Sequence, residues 1–148
     1  MKNLISLKIL TPEKFIYQDD VLEVSLPTES GEVSILPDHA PLVSIIKTGE
    51  IRIRKEENSD VVPLSIASGI LEVRPSSKID NKKTEIIILA SNSEFASDID
   101  IERSQQAYDR AQKAMEEKEN LSDIDFAKLQ AVIDKELNRI NVSKKWRR

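Results

Sequence analysis

In the stretch ILPDHAPLV, Ile35 to Val43, an aspartate and the chain's only histidine stand side by side, Asp38 and His39. A carboxylate beside an imidazole is a common orienting pair in acid–base catalysis. Sequence neighbours rarely face each other, however, and Pro37 and Pro41 restrict the backbone on either side, so the loop reads as a preset corner. No nucleophile context and no glycine-rich oxyanion loop accompanies it. The residue types therefore favour a shaped contact surface over an acid–base site, with a plain surface turn as the alternative.

A second constellation is basic. Arg103 and Arg110 are seven residues apart, two helical turns, which stacks them on one face about 10.5 Å apart along the axis. Lys135 and Arg139 are one turn apart further on. Two such pairs on facing helices could converge on a polyphosphate, because guanidinium groups grip phosphate oxygens in bidentate fashion. The competing reading is pairing within each helix, Asp100 with Arg103, Gln106 with Arg110 and Glu136 with Arg139. On spacing alone that reading is favoured. The tail SKKWRR adds Lys144, Lys145, Arg147 and Arg148 at a helix C-terminus, where positive charge suits the dipole. Trp146, the only tryptophan, either anchors an external contact or covers the helices.

The elements that must carry these groups divide the chain in two near Asn92. Before it, all three glycines and all six prolines punctuate segments with period-two alternation, such as VLEVSLP and EIRIRK, and turn signals recur about every 8–12 residues, a spacing typical of sandwiches and barrels. After it there is neither Gly nor Pro. There, Ile101, Ser104, Ala107, Tyr108, Ala111, Ala114 and Met115 form one helical stripe, and Phe126, Leu129, Ile133, Leu137 and Ile140 a second. The ENLSD break between them, with Ser122 or Asp123 as N-cap, makes a hairpin of two helices. The expected fold is α+β in two parts: an antiparallel β-sandwich of about ten strands over 1–92, then an antiparallel two-helix hairpin over 93–148. Stripes of alanines and single aliphatics bury little area, so the hairpin needs a partner surface to settle it.

Composition narrows the function. A net charge of −4 over 148 residues argues against sequence-independent nucleic-acid binding. The absence of cysteine excludes disulfides and thiolate metal sites, and one histidine leaves little for zinc. MKNLISLKIL lacks the features of a secretory signal, and the longest aliphatic run, IIILA, is far short of a bilayer span.

Three strings together resemble the epsilon-subunit family of bacterial rotary ATP synthases, whose mitochondrial equivalent is called delta. They are GEVSILPDHAPLVSIIKTGEIRI (Gly31 to Ile53), SGILEVRP (Ser68 to Pro75) and IDIERSQQAYDRA (Ile99 to Ala111). The resemblance implies a non-catalytic rotor subunit with no cofactor or metal. Its sandwich would clamp the gamma shaft and the c-ring, coupling proton flow to ATP synthesis. Its hairpin would either fold down on the sandwich or extend into the alpha/beta catalytic head and impede ATP hydrolysis. On this pattern His39, with Asp38, faces gamma, and Glu32 matches an acidic residue near the ring loops. Ile99, Asp100 and Arg103 match a motif through which some relatives bind ATP as a regulatory ligand, with Ser104 in place of the usual alanine. Arg110, Glu94 and Arg139 match further residues of that site, and Lys135 stands where binders carry arginine. Lysine keeps the charge but loses the planar fork. Lys144, Lys145, Arg147 and Arg148 match basic residues that meet an acidic segment of the beta subunits.

The chain also departs from the pattern in two places. Ser68-Gly69 replaces Gly-Gly, and the loop from Pro75 to Lys83 is longer, which puts the geometry of that strand pair in question. The implied location is peripheral, on the cytoplasmic face of the bacterial inner (plasma) membrane, with membrane association only through the complex. A free-standing nucleotide-responsive module is the alternative of a different class, and an enzyme built on Asp38 and His39 the third.

Overall fold

Alternating segments become strands whose inward residues are aliphatic and whose outward residues are mixed. The computed structural model describes residues 3–76, 84–118 and 120–147. Within them the strands are β1 (Ile5–Leu10), β2 (Phe15–Val21), β3 (Glu23–Thr28), β4 (Gly31–Ile35), β5 (Leu42–Ile46), β6 (Gly49–Arg54), β7 (Val61–Ile66), β8 (Gly69–Pro75), β9 (Thr84–Ala90) and β10 (Ser93–Phe95). A 3-10 turn at Ala96–Asp98 leads into α1 (Ile101–Glu117) and α2 (Asp123–Trp146).

The ladder runs β10-β7-β6-β3-β5-β8-β9-β1-β2, with β4 paired to β3. Between β3 and β5 the register is a single pair, Thr28 with Ile46, and there the sheet folds into two layers. At the far edges the rings of Tyr17 on β2 and Phe95 on β10 lie 6.1 Å apart, nearly closing the sandwich into a barrel. Pairing is antiparallel as expected except between β1 and β9, which run parallel. Ile5, Leu7, Ile9, Leu71, Ile86 and Ile88 from one layer meet Val24, Leu26, Ile51, Ile53, Leu64 and Ile66 from the other in one fully buried core. Each such side chain contributes about 1.5–3 kcal/mol on burial. That makes a stiff body.

The Ser68-Gly69 departure does not disturb the strand pair. Ser68 takes a left-handed φ of 32°, its hydroxyl lies 3.1 Å from that of Ser91, and β8 pairs with β9 without interruption from Gly69/Ala90 to Pro75/Thr84. A Cβ at Gly69 would press into the Leu89 carbonyl oxygen and stand 3.1 Å from the Ala90 Cα, so this glycine is required by close approach. Ser77–Lys83 of the loop lies outside the described residues.

Both helices start where a cap is available. Asp100 accepts from the backbone N–H of Arg103 at 3.2 Å, and Ser122 from that of Asp125 at 3.1 Å. On α1, Ser104 and Ala111 of the expected stripe are buried. On α2 the expected stripe holds only in part: Ile133 and Ile140 are buried, whereas Phe126 and Leu137 are exposed. The reason is a second contact. Besides α1, α2 packs on β6, β7 and the 3-10 turn, so its buried set includes Glu136, Val142 and Ser143 in place of Leu137.

Candidate functional site

The Ile35–Val43 corner is built as a rigid protrusion between β4 and β5. Asp38 sits at φ 68°, a left-handed value that aspartate tolerates better than most residues. Its N–H donates to Thr84 Oγ1 at 2.7 Å, which pins the corner to the start of β9, while its carboxylate accepts from Asn3 Nδ2 at 3.3 Å. His39 turns the other way: its Nδ1–H donates to the Ala40 carbonyl at 2.6 Å, and its backbone N–H closes the turn on Leu36 at 3.2 Å. The two side chains therefore do not pair. What remains is a half-buried imidazole held edge-on, next to an exposed Leu36.

Past the corner, the outer face of the layer β5-β8-β9-β1-β2 carries one apolar row beside a mixed row of Val43, Glu72, Ile87, Lys8 and Gln18. Register places Ile45, Ile70, Leu89, Leu10 and Phe15 in one row across five strands. Ile45, Ile70, Leu89 and Phe15 are each at least half exposed, and Val43, nearer the corner, is 74% exposed. Contiguous exposed aliphatics of this kind mark interaction surfaces. Their signature in the sequence is the doublets Ile45–Ile46, Ile70–Leu71 and Ile88–Leu89. When both parities of a strand are apolar, both faces expect cover.

At the opposite layer, Arg139 on α2 ties the hairpin to the sheet. Its guanidinium donates to Glu94 Oε2 on β10 at 2.6 and 3.1 Å and to both carboxylate oxygens of Glu136 at 3.0 and 3.2 Å. Glu136 is buried, with Lys135 Nζ a further 3.7 Å away. One residue back, the Asn138 amide donates to the Gly49 and Ile66 carbonyls of β6 and β7, at 2.8 and 3.3 Å. Of the residues singled out for a polyphosphate, Glu94, Lys135 and Arg139 thus come together, but in a neutralising cluster of carboxylates and cations. Arg103 and Arg110 are exposed and, among the described residues, make no ion pair. Asp100 is occupied as the α1 cap, and Ile99 is buried with Ala96 and Val142 under Trp146. The pairing within helices holds for Glu136 with Arg139; for Asp100 and Arg103 it is a bond to the backbone. Among the described residues no group of three or more His, Cys, Asp or Glu side chains is placed to hold a metal.

The basic tail is also held down. Glu50 on β6 accepts from Lys145 Nζ at 2.7 Å, from the Trp146 indole N–H at 2.9 Å and from Arg52 at 2.7 Å. Arg52 continues to Glu32 on β4, so the acidic residue matched to the ring loops is ion-paired within the sandwich. Burial pushes the Glu50 carboxyl up, but the three donors together outweigh it and hold the group below the ordinary glutamate value of 4.5. Trp146 packs over Ala96, Ile99 and Val142, so it covers the root of the hairpin. Lys144 and Arg147 point to solvent, and Arg148 lies outside the described residues. Sequence reasoning missed Glu50 and Asn138, whose partners on α2 and on β6 and β7 are far away in the chain, and Arg52, which joins Glu50 to Glu32 across the sheet.

Comparison with known proteins agrees with this architecture over nearly the whole chain. Residues 4–96 match the ATP synthase, Delta/Epsilon chain, beta-sandwich domain, and residues 97–144 the ATP synthase, Delta/Epsilon chain, long alpha-helix domain. The ATP synthase epsilon chain of Halalkalibacterium halodurans is 34% identical over 139 residues, 94% of this chain and 96% of that one. The ATP synthase epsilon chain of Gloeobacter violaceus is 32% identical over 120 residues, 81% and 83% of the two chains. In fold, the chain superposes with TM-score 0.69 and 17% identity on a chain of the Euglena gracilis mitochondrial ATP synthase OSCP/F1/c-ring structure, covering 93% of this chain and 80% of that one. A chain of the Tetrahymena thermophila mitochondrial ATP synthase central stalk/c-ring structure gives TM-score 0.55 at 15% identity, covering 97% and 96%. Both domain matches in order, with relatives above 30% identity along most of their length, place this chain in the ATP synthase delta/epsilon family.

Proposed function

We propose that the chain is the epsilon-type central-stalk subunit of a rotary ATP synthase, coupling ion flow through the c-ring to ATP synthesis by way of a rigid sandwich and restraining ATP hydrolysis through its helical hairpin. The sandwich, which β10 carries past the expected boundary at 92 to Phe95, grips the gamma shaft with the His39 corner and the apolar row from Ile45 through Ile70 and Leu89 to Phe15. Glu32 and Arg52 present a charged edge towards the ring. The hairpin, beginning at α1 rather than at residue 93 because Ser93–Phe95 pairs with β7, is the regulatory part; released from the sheet, it carries the tail from Lys144 to Arg148 towards an acidic surface of the catalytic head. The chain supplies no chemistry of its own. Among the described residues no helix is long and apolar enough to cross a bilayer, and its place at the cytoplasmic face of the membrane follows from the complex.

The observation that carries this reading is the asymmetry of the molecule: one layer has an uncovered apolar row, and the other is covered by a hairpin attached mainly through polar contacts and one small apolar cluster. An uncovered row asks for a permanent partner, and a polar attachment allows release. Co-isolation from membranes of the native source tests it. The chain should remain with gamma, the c-ring and the alpha and beta subunits through size-exclusion; recovery as a free monomer would favour a stand-alone module instead.

A regulatory ATP site is a second reading, favoured by the guanidiniums of Arg103, in the first turn of the Asp100-capped α1, and Arg110, two turns on, which make no ion pair among the described residues. Triphosphate would have to draw Arg139 away from Glu94 and Glu136 or bind without it. Calorimetric titration of the isolated chain with ATP should show saturable heat; none at millimolar nucleotide removes this reading.

A further inference from the structure

We propose that Glu50 is an internal decoy for the basic tail, a carboxylate on the sandwich that occupies Lys145 and Trp146 while the hairpin is docked and must be displaced before the tail can engage an acidic partner. The regulatory half of this statement rests on the proposed function of the tail. The contact itself rests on geometry.

In the strand GEIRIR the buried positions are Ile51 and Ile53, so Glu50, Arg52 and Arg54 belong to the other face. A carboxylate there would ordinarily be solvated. Instead the Glu50 side chain is only 9% exposed, because the last turn of α2 lies over it. A buried carboxylate is tolerated only with its lone pairs satisfied, and two of its three donors come from that same turn. The tail therefore both buries the carboxylate and compensates it. When the tail leaves, Glu50 returns to water with Arg52 still beside it, and no charge is stranded in the core. Such a contact is reversible in a way that a pair buried inside the sandwich is not.

The donors act as a unit. Lys145 Nζ sits 5.5 Å from the centroid of the Trp146 ring, so ammonium and indole approach the same carboxylate from adjacent sides. Lys144 and Arg147, on either side of them, are exposed and make no ion pair among the described residues. The tail's charge is thus divided between one cation held in place, Lys145 beside the neutral indole, and two, Lys144 and Arg147, turned to an incoming surface. An acidic peptide could first engage Lys144 and Arg147 and then compete with Glu50 for Lys145. The clasp also states the chemistry that displaces it: a carboxylate offered beside an apolar surface that accepts the indole.

Trp146, the only tryptophan, reports on the clasp directly. In the isolated full-length chain, Glu50→Gln keeps the shape and removes the charge. It should shift Trp146 emission to the red and raise the acrylamide-accessible fraction roughly tenfold, about the effect of one charge-assisted hydrogen bond. Lys145→Gln, a substitution at an exposed side chain, should do the same. The wild type should release Trp146 on acidification. A carboxyl held below its ordinary value stabilises the docked form at every pH above 4.5, and that contribution is lost as pH falls through the lowered value. The groups facing Glu50 are Arg52 on β6, Lys145 and Trp146 on α2, and Glu32 beyond Arg52; Glu50→Gln should remove most of this acid response.

In the assembled complex the two variants should part company. Glu50→Gln frees an intact tail and should deepen inhibition of hydrolysis, whereas Lys145→Gln frees a tail that has lost a binding cation and should not. If both variants fold by circular dichroism and leave Trp146 as shielded as in the wild type, the decoy is overturned. If both expose Trp146 but neither alters hydrolysis, the clasp stands and the regulatory role of the tail falls.

Discussion

Replacing Arg139 by methionine releases the helical hairpin and leaves the sandwich folded. Methionine preserves much of the aliphatic stem but removes the charge that holds Glu94 and Glu136 together. The arginine side chain is 20% exposed and Glu136 5%, so Glu136 would be left in a largely dry site with only Lys135, at 3.7 Å, to compensate, beside a Glu94 that is 27% exposed and has lost its cation. Breaking a buried pair on one side costs about 3–5 kcal/mol. What would still hold α2 to the sheet is Asn138 on two carbonyls, the Glu50 clasp and the small Ala96–Ile99–Val142 cluster. Hydrogen exchange read by mass spectrometry should show α1 and α2 losing protection while β1, β8 and β9 keep theirs. Arg139→Lys should recover only part, since an ammonium does not span two carboxylates as a fork does. Simultaneous loss of protection in the strands would show that the hairpin is an integral part of the sandwich core.

Ile70→Asp is expected to abolish stable incorporation into the complex with little change in the fold. Ile70 is 50% exposed and flanked in the row by Ile45 on one side and Leu89 on the other, with Leu10 and Phe15 beyond. A charge within an apolar contact lacks a partner once water is excluded, and buried anchors commonly contribute about 2 kcal/mol or more to binding. Capture by gamma should weaken about thirtyfold or more. Denaturant midpoints of the isolated chain should move little, because this side chain is outside the core. An equal loss of folding stability would instead assign the residue to the sandwich itself.

The legible parts of this molecule are those set by local pattern. EIRIRK specifies which of its residues enter the core because the strand period is two, and Ser122 caps α2 because its oxygen reaches a free N–H. Pro37 and Pro41 mark a fixed corner, although not that Thr84 on β9 would hold it. The parts that were not legible depend on folding distance. Glu50 finds donors 95 and 96 residues away, and nothing in GEIRIR announces them. Asp100 could have been a ligand or a cap, and the start of α1 at Ile101 decides for the cap in this state. The apolar outer row was present as doublets such as Ile70–Leu71, but the alternation template looks for one face and passes over the other. Leu137 shows the same limit in a helix: a stripe assumes one contact surface, and α2 has two.

Division of labour between sandwich and hairpin is the central claim, and truncation after Asp98 tests it. The cut keeps β10, which pairs with β7, and removes both helices. The measurement is ion-driven ATP synthesis and ATP hydrolysis in membranes carrying the truncated chain beside membranes carrying the full one. The account predicts an assembled complex that synthesises ATP at close to the full rate and hydrolyses it without the restraint imposed by the tail. A complex that fails to assemble, or one whose hydrolysis is unchanged, would contradict it.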